Sequence, residues 1–161
     1  ELARTNELAH LGLGLSLLRA GDLPAAEREL VRTRELVPNS TPAAMGLGHI
    51  YEATERFEEA FEAYREGADG SPNDPAPMLA AARLAIARQQ DVMAAAYIER
   101  ARQARSTSAE AFALLGDVMR MRNRPAEARA HYVSALAGDG PLDRARIEAA
   151  IREIDAAPRR R

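Results

Sequence analysis

Apolar and small residues recur along this chain with a period of 34 residues. The fullest copy runs from Ala44 to Pro72, through Leu47-Gly48, Tyr51, Phe57, Ala60, Tyr64 and Ala68. A shift of 34 in either direction aligns Gly48 with Gly14, Ala82 and Gly116, and Ala60 with Ala26, Ala94 and Ala128. The same shift aligns Tyr64 with Leu30, Ile98 and Tyr132. Within each copy the apolar residues follow a helical period in two stretches, separated by residues that favour turns. Four in-phase copies, at 7–40, 41–74, 75–108 and 109–142, predict an array of antiparallel helix pairs. With Gly48 numbered position 8 of its copy, the small residues at positions 8 and 20 fall where the two helices of a pair cross. Only a small side chain lets two helix backbones approach that closely. Larger residues at positions 4, 7, 11, 17 and 24 are expected to fill the space around the crossing.

Turn chemistry sets the predicted boundaries. The first helix is expected from about Leu8 to Ala20, with Gly21 as a left-handed stop and Pro24 in the first turn of the next helix, which ends near Val37 before Pro38. Leu8, Leu11, Leu13, Leu15, Leu17 and Leu18 spread around most of that first helix, and a helix apolar on nearly all sides expects cover on nearly all sides. The second copy opens with Thr41 as N-cap and Pro42 behind it. Its second helix, about Phe57 to Ala68, carries Glu58, Glu59, Glu62 and Glu66 on a solvated face. In the third copy Asp74 caps and Pro75 starts a helix, but Ala81, Ala82, Ala85 and Asp91 replace the larger residues of the pattern. That pair is expected to be looser or shifted, with Val92 or Tyr97 filling part of the gap. The fourth copy returns to pattern behind Ser108 as N-cap, and Gly138-Asp139-Gly140-Pro141 breaks the chain. Residues 143–156 then form one amphipathic helix, with Ile147, Ala150, Ile151 and Ile154 on one side. A polar-backed helix of this kind seals the open edge of an array. Residues 157–161, ending Arg159-Arg160-Arg161, are expected to be a disordered tail.

The 161 residues are 47% hydrophobic and 29% charged, a foldable balance, and only 4% aromatic, which suits closely packed helices. A net charge of −2 excludes a global basic field, so neither nucleic acid nor an anionic membrane is an expected partner. No cysteine is present, which removes disulfides and thiolate metal sites. All basic residues are Arg, and heavy use of Ala accompanies them, a composition associated with GC-rich bacterial genomes. No apolar run reaches the roughly 20 residues that span a bilayer. The expected setting is a soluble one, in a bacterial cytoplasm or periplasm. Because the first residue is Glu1, processing or an anchor upstream is left open, and so is the compartment.

The pattern resembles the tetratricopeptide repeat family over about residues 7–142. Its signature is met most fully by Leu47-Gly48, Tyr51, Ala60, Tyr64 and Pro72. Leu13-Gly14, Ala26 and Pro38 meet it in the first copy, and Leu115-Gly116, Ala128, Tyr132 and Ala135 in the fourth; the third keeps only Ala94, Ile98 and Ala101. The resemblance implies an all-α fold, a right-handed superhelical solenoid whose first helices line a concave groove. It also implies a protein–protein interaction module that takes a peptide or a helix of another protein.

By repeat geometry the groove is lined by Leu8, Leu11 and Leu15 from the first copy and by Met45, His49 and Glu52 from the second. Leu79, Arg83 and Ile86 follow from the third copy, and Asp117 and Arg120 from the fourth. An apolar floor with mixed charge toward the C-terminal half suits a helix or an apolar strand. The chaperone-tail binders of the family use Lys, Arg and Asn at places where this chain has Leu11, Leu15, Gly46, Ala76 and Ala80, which disfavours that ligand. Two alternatives stay open. Leu11, Met45 and Leu79 either touch a partner or pack only against neighbouring first helices. Arg83 either meets a partner carboxylate or pairs with Asp117 or Glu110.

No constellation points to catalysis, to a cofactor or to a metal. His10, His49 and His131 fall at different positions of different copies, without a second ligand at metal spacing. His10 is expected at the core edge and His131 in solvent, whereas His49 faces the groove, where it would sense pH between about 5 and 7. Ser16, Ser40 and Ser134 have no His within one plausible site. The readings that remain are three: an adaptor in a bacterial assembly, envelope or secretion complex; a structural scaffold segment of a larger multidomain protein; and a homo-oligomer formed through the uncapped N-terminal repeat.

Overall fold

A computed structural model describes residues 2–105 and 107–157, with side chains from residue 6 onward. The Arg159–Arg161 run therefore lies outside the described residues, as does Pro158 before it. The described residues form nine α-helices and no strand. They divide into two compact units, residues 1–77 and 78–161. The first unit holds α1 (Leu2–Ala20), α2 (Leu23–Leu36), α3 (Thr41–Ala53) and α4 (Phe57–Gly70). The second holds α5 (Ala76–Ala87), which begins just before the boundary, and then α6 (Asp91–Ala104), α7 (Ala109–Met121), α8 (Pro125–Ala137) and α9 (Arg144–Ala156). Helix α1 thus begins six residues before the expected start, and α4 extends two residues beyond its expected end.

In the first unit α1 packs on α2, α3 packs on α4, and α3 also meets both earlier helices. In the second unit α7 packs on α8, with α6 against α7 and α9 against α8. The closest approach within a pair lies at the glycines of the repeat. A Cβ on Gly48 would fall into the ring of Tyr64, 2.9 Å from Cζ and nearer still to Cδ1. One on Gly116 would meet the ring of Tyr132 in the same way, and one on Gly14 would lie 2.8 Å from Cγ of Leu30. The small residue at position 8 is thus a socket for the large residue at position 24. Leu30, Tyr64 and Tyr132 are all 0% exposed, as are Ala26, Ala60, Ala94 and Ala128. Fully burying a side chain of Leu size contributes roughly 1.5–3 kcal/mol.

The turn between the helices of each pair also repeats. Gly21 has φ +83°, and Glu55, Gln89 and Asn123, each 34 residues further on, have φ of 59°, 59° and 56°. In every case the next amide reaches back five residues: Asp22 N to Leu17 O at 3.1 Å, Arg56 N to Tyr51 O at 2.7 Å, Gln90 N to Ala85 O at 2.9 Å and Arg124 N to Met119 O at 2.9 Å. This hydrogen bond satisfies an otherwise orphaned carbonyl and turns the chain into the next helix. Gly21, and after it Asn123, carry the signal in their residue type, whereas Glu55 and Gln89 do not.

Several local expectations need correction. Ser40, not Thr41, is the N-cap of α3, and it makes no side-chain capping bond. Thr41 is already helical, and its hydroxyl donates to the Gly67 carbonyl at 2.9 Å, tying α3 to α4. Asp74 does accept from a helix amide, that of Ala76 at 2.9 Å, but Pro75 precedes the helix. Ser108 caps α7 by accepting from Ala111 N at 3.3 Å, and Asp143 caps α9 by accepting from Arg146 N at 3.0 Å. The third copy is not short of core: Met78 and Leu79 are 3% exposed, Leu84 is 2% exposed, and Ala94, Ile98 and Ala101 are fully buried. Val92 fills no gap, being 73% exposed. Leu84 keeps the buried position that Ile50 and Val118 hold in the neighbouring copies, and with Met78 and Leu79 it supplies apolar volume beside the buried Ala81, Ala82 and Ala85.

Two substitutions test this account. Gln89→Gly removes the left-handed strain of a residue with a Cβ, which costs roughly 1–2 kcal/mol, while adding unfolded-state entropy. Urea denaturation should show a net gain of about 0.5–1 kcal/mol, and a loss would mean that the turn carries no such strain. Gly116→Ala forces Tyr132 out of its socket and should cost about 1–3 kcal/mol in the same assay.

Candidate functional site

The expected groove residues separate into two sets that behave differently. On the first unit, Leu8 of α1 is 66% exposed, Leu11 and Leu15 are half-buried, Met45 of α3 is half-buried and His49 is exposed. The His49 ring stands edge-on to Tyr64, with centroids 5.7 Å apart and planes at 84°. Glu52 accepts a hydrogen bond from the Tyr64 hydroxyl at 2.9 Å. The phenol at the bottom of the Gly48 socket thus reaches through to the first-helix face and orients Glu52.

On the second unit the face is polar and internally paired. Arg83 and Glu110 form an ion pair, so the Glu110 alternative for Arg83 is the one observed. Asp117 accepts from the Tyr132 hydroxyl at 2.7 Å and from Nη1 of Arg146 at 3.1 and 3.2 Å. Arg120 Nη2 donates to Glu153 Oε2 at 3.2 Å. An open depression of about 410 Å³ lies among Arg83, Glu110, Ala113, Leu114 and Arg146, floored toward α9 by Pro141, Leu142 and Asp143. Leu79 is 3% exposed, so its side chain packs inside the unit rather than lining an open surface, and Ile86 is half-buried. Arg146 and Glu153 of α9 were not legible as contributors, because their helix reads from sequence only as an amphipathic segment.

The histidines lie apart. His10 Nδ1 is 2.6 Å from Glu29 Oε2 at the core edge. His131 is half-buried rather than exposed, and burial, with the positive charge of Arg102 next, holds its imidazole below the ordinary value. Burial of the Tyr132 phenol, followed by its bond to Asp117, pushes that hydroxyl well above its ordinary range, so it stays a donor. Among the described residues no group of three His, Asp or Glu side chains could hold a metal ion. No helix among them is long and apolar enough to cross a membrane.

A tetratricopeptide repeat family model matches residues 9–75. That match spans residues 9–75, less than half of the chain, and the chain resembles tetratricopeptide repeats there. Its fold is similar to that of the MamA protein, at a TM-score of 0.76 and 16% identity over 92% of this chain and 80% of that one. The thermophilic tetratricopeptide repeat protein TTC0263 of Thermus thermophilus aligns at a TM-score of 0.70 and 19% identity, over 92% of this chain and 80% of its own. YrrB, described as a tetratricopeptide repeat protein with an unusual peptide-binding site, aligns at 0.70 and 17%, over 91% and 75%. At these identities the likeness is one of fold. No curated protein sequence matches the chain. In the Gly48–Tyr64 socket the residues of the repeat pattern pack against each other, and Gly116 and Tyr132 pack in the same way.

Asp117 ties three elements of the second unit together, so Asp117→Ala should cost about 1–3 kcal/mol by stranding the Tyr132 hydroxyl in a buried position. Arg120→Ala, whose partner Glu153 is 65% exposed, should change stability by less than about 1 kcal/mol. Equal losses in urea denaturation would contradict this ranking.

Proposed function

We propose that the chain is a non-catalytic protein–protein interaction module that holds a peptide or helix of another protein against its first-helix face, within a bacterial assembly, envelope or secretion complex. The observation that carries the reading is the open apolar face of the first unit. Leu8 is 66% exposed, with half-buried Leu11, Leu15 and Met45 available beside it and the polar groups of His49 and Glu52 at hand. An amphipathic helix or apolar strand matches such a surface, burying its apolar side chains while polar groups at the margin set orientation. The family match over residues 9–75 takes in Leu11, Leu15, Met45, His49 and Glu52 of this face but not Leu8, and YrrB, of similar fold, is described as having a peptide-binding site. The ionisable groups of the second unit bond mainly to one another, an arrangement that serves structure rather than bond-making.

Panning a display library of random peptides on the chain tests the reading. Selected binders should lose about tenfold or more in affinity to Leu8→Asp and to His49→Asp, both exposed positions, with helicity unchanged by circular dichroism. Binders indifferent to both substitutions would sink it. Leu13, 50% exposed on α1, supports self-association as a second reading. An oligomer that dissociates in Leu13→Asp would favour that role.

A further inference from the structure

The first unit holds a second depression, of about 240 Å³, where the last turns of α2 and α3 meet the first half of α4. It is lined by Arg34, Tyr51, Glu58, Glu59, Glu62 and Ala63, none of which belongs to the first-helix face described above. Tyr51 is 5% exposed. One face of its ring is covered by the guanidinium of Arg56, with Cζ 4.3 Å from the centroid. Arg56 is itself fixed by Glu27 at 2.8 Å and by Glu59 at 2.7 Å. The Tyr51 hydroxyl has no hydrogen-bond partner among the described residues. It is also not among the sealed polar atoms, which are Gln90 Oε1 and Arg102 Nε. A nineteen-twentieths buried side chain thus brings an unpartnered polar atom to the depression.

The charges around it are unevenly used. Glu59 is paired with Arg56, Glu62 with Arg65, and Arg34 with Glu66 at 3.4 Å. Glu58 makes no ion pair among the described residues, although it is exposed at the rim. With these partners counted, five carboxylates (Glu27, Glu58, Glu59, Glu62 and Glu66) stand against three guanidiniums (Arg34, Arg56 and Arg65), a negative balance that repels an anion and attracts a cation. Glu58 and Glu62 are four residues apart and so share one side of α4.

We propose that this depression is a docking site for an arginine side chain presented by a protein partner. Its guanidinium donates to the Tyr51 hydroxyl oxygen and to the carboxylates of Glu58 and Glu62. A planar fork with five N–H donors spans a phenol oxygen and two carboxylates, whereas an ammonium is a single point of charge. Burial, with the charge of Glu27 next, holds the phenol above its ordinary range, so it remains neutral and keeps a lone pair to offer. The site lies apart from the proposed peptide face, and each can fail without the other.

The probe is N-acetyl-arginine amide, titrated into the isotopically labelled chain and followed by amide chemical shifts. The expected result is a saturable response centred on Tyr51, Glu58 and Glu62, with the neutral isostere N-acetyl-citrulline amide inert and N-acetyl-lysine amide weaker. Tyr51→Phe keeps the ring in the core and should weaken binding by about tenfold, the loss of one charge-assisted hydrogen bond. Glu58→Gln, on the surface, should do the same. A response to citrulline equal to that of arginine overturns the proposal, as does an unchanged affinity in Tyr51→Phe with native circular dichroism. Lysine binding as well as arginine would overturn the choice of guanidinium. A dimer that dissociates in Glu58→Gln would show a second copy of this chain as the arginine donor and overturn the separate partner.

Discussion

A glycine at the eighth position of a helix pair, facing a large side chain at the twenty-fourth, is the contact on which the first, second and fourth pairs depend, with Ala82 in its place in the third. Where that side chain is Tyr64 or Tyr132, its ring occupies the space a Cβ on Gly48 or Gly116 would need. Two consequences follow from one geometry. The ring is buried completely, contributing the hydrophobic stabilisation of a large side chain. Its hydroxyl, carried through the pair, emerges on the first-helix side and bonds to Glu52 or to Asp117. Packing and surface chemistry are therefore coupled, and the polar residues of the candidate binding face are positioned from beneath.

The many ion pairs play a lesser energetic part. Most join partly exposed side chains, and pairs of that kind each contribute roughly 0–1 kcal/mol. Their arrangement matters more than their sum. In the second unit Arg83, Asp117 and Arg120 are engaged by Glu110, Arg146 and Glu153, so a ligand there would have to displace existing partners. In the first unit the first-helix face presents Leu8, Leu11, Leu15 and Met45 beside Glu52, which the Tyr64 hydroxyl holds, while Glu58 and the Tyr51 hydroxyl beside α2 and α4 have no partner among the described residues. The two proposed binding surfaces are both in the first unit for that reason.

Much of the helical plan could be read in the residues. The period of 34 and the alternation of small and large positions located the helices to within a few residues, except at the start of α1. Three features were hidden. The left-handed turns at Glu55 and Gln89 carry neither glycine nor asparagine, and the backbone hydrogen bonds of the turn hold them where propensity would not. Leu79 reads as groove-facing by its position, yet it is buried, with Met78 and Leu84 of the same helix. Arg146 and Glu153 reach α7 from a helix whose sequence shows only an apolar stripe.

Sequence alone determined the class of fold, the helix pairs and the identity of the close-packed positions, because these follow from local periodicity and from side-chain size. The tertiary structure decided which polar groups are already engaged. An arginine or glutamate on a helix surface has many candidate partners within reach, and its choice depends on the distance between elements remote in the chain. Thus Arg83 selects Glu110 and not Asp117, and Asp117 is taken instead by Tyr132 and Arg146. Tyr51 shows the same division. Its aromatic ring is expected from the repeat, whereas the bare hydroxyl at the edge of an acidic depression exists only once α2, α3 and α4 are packed together.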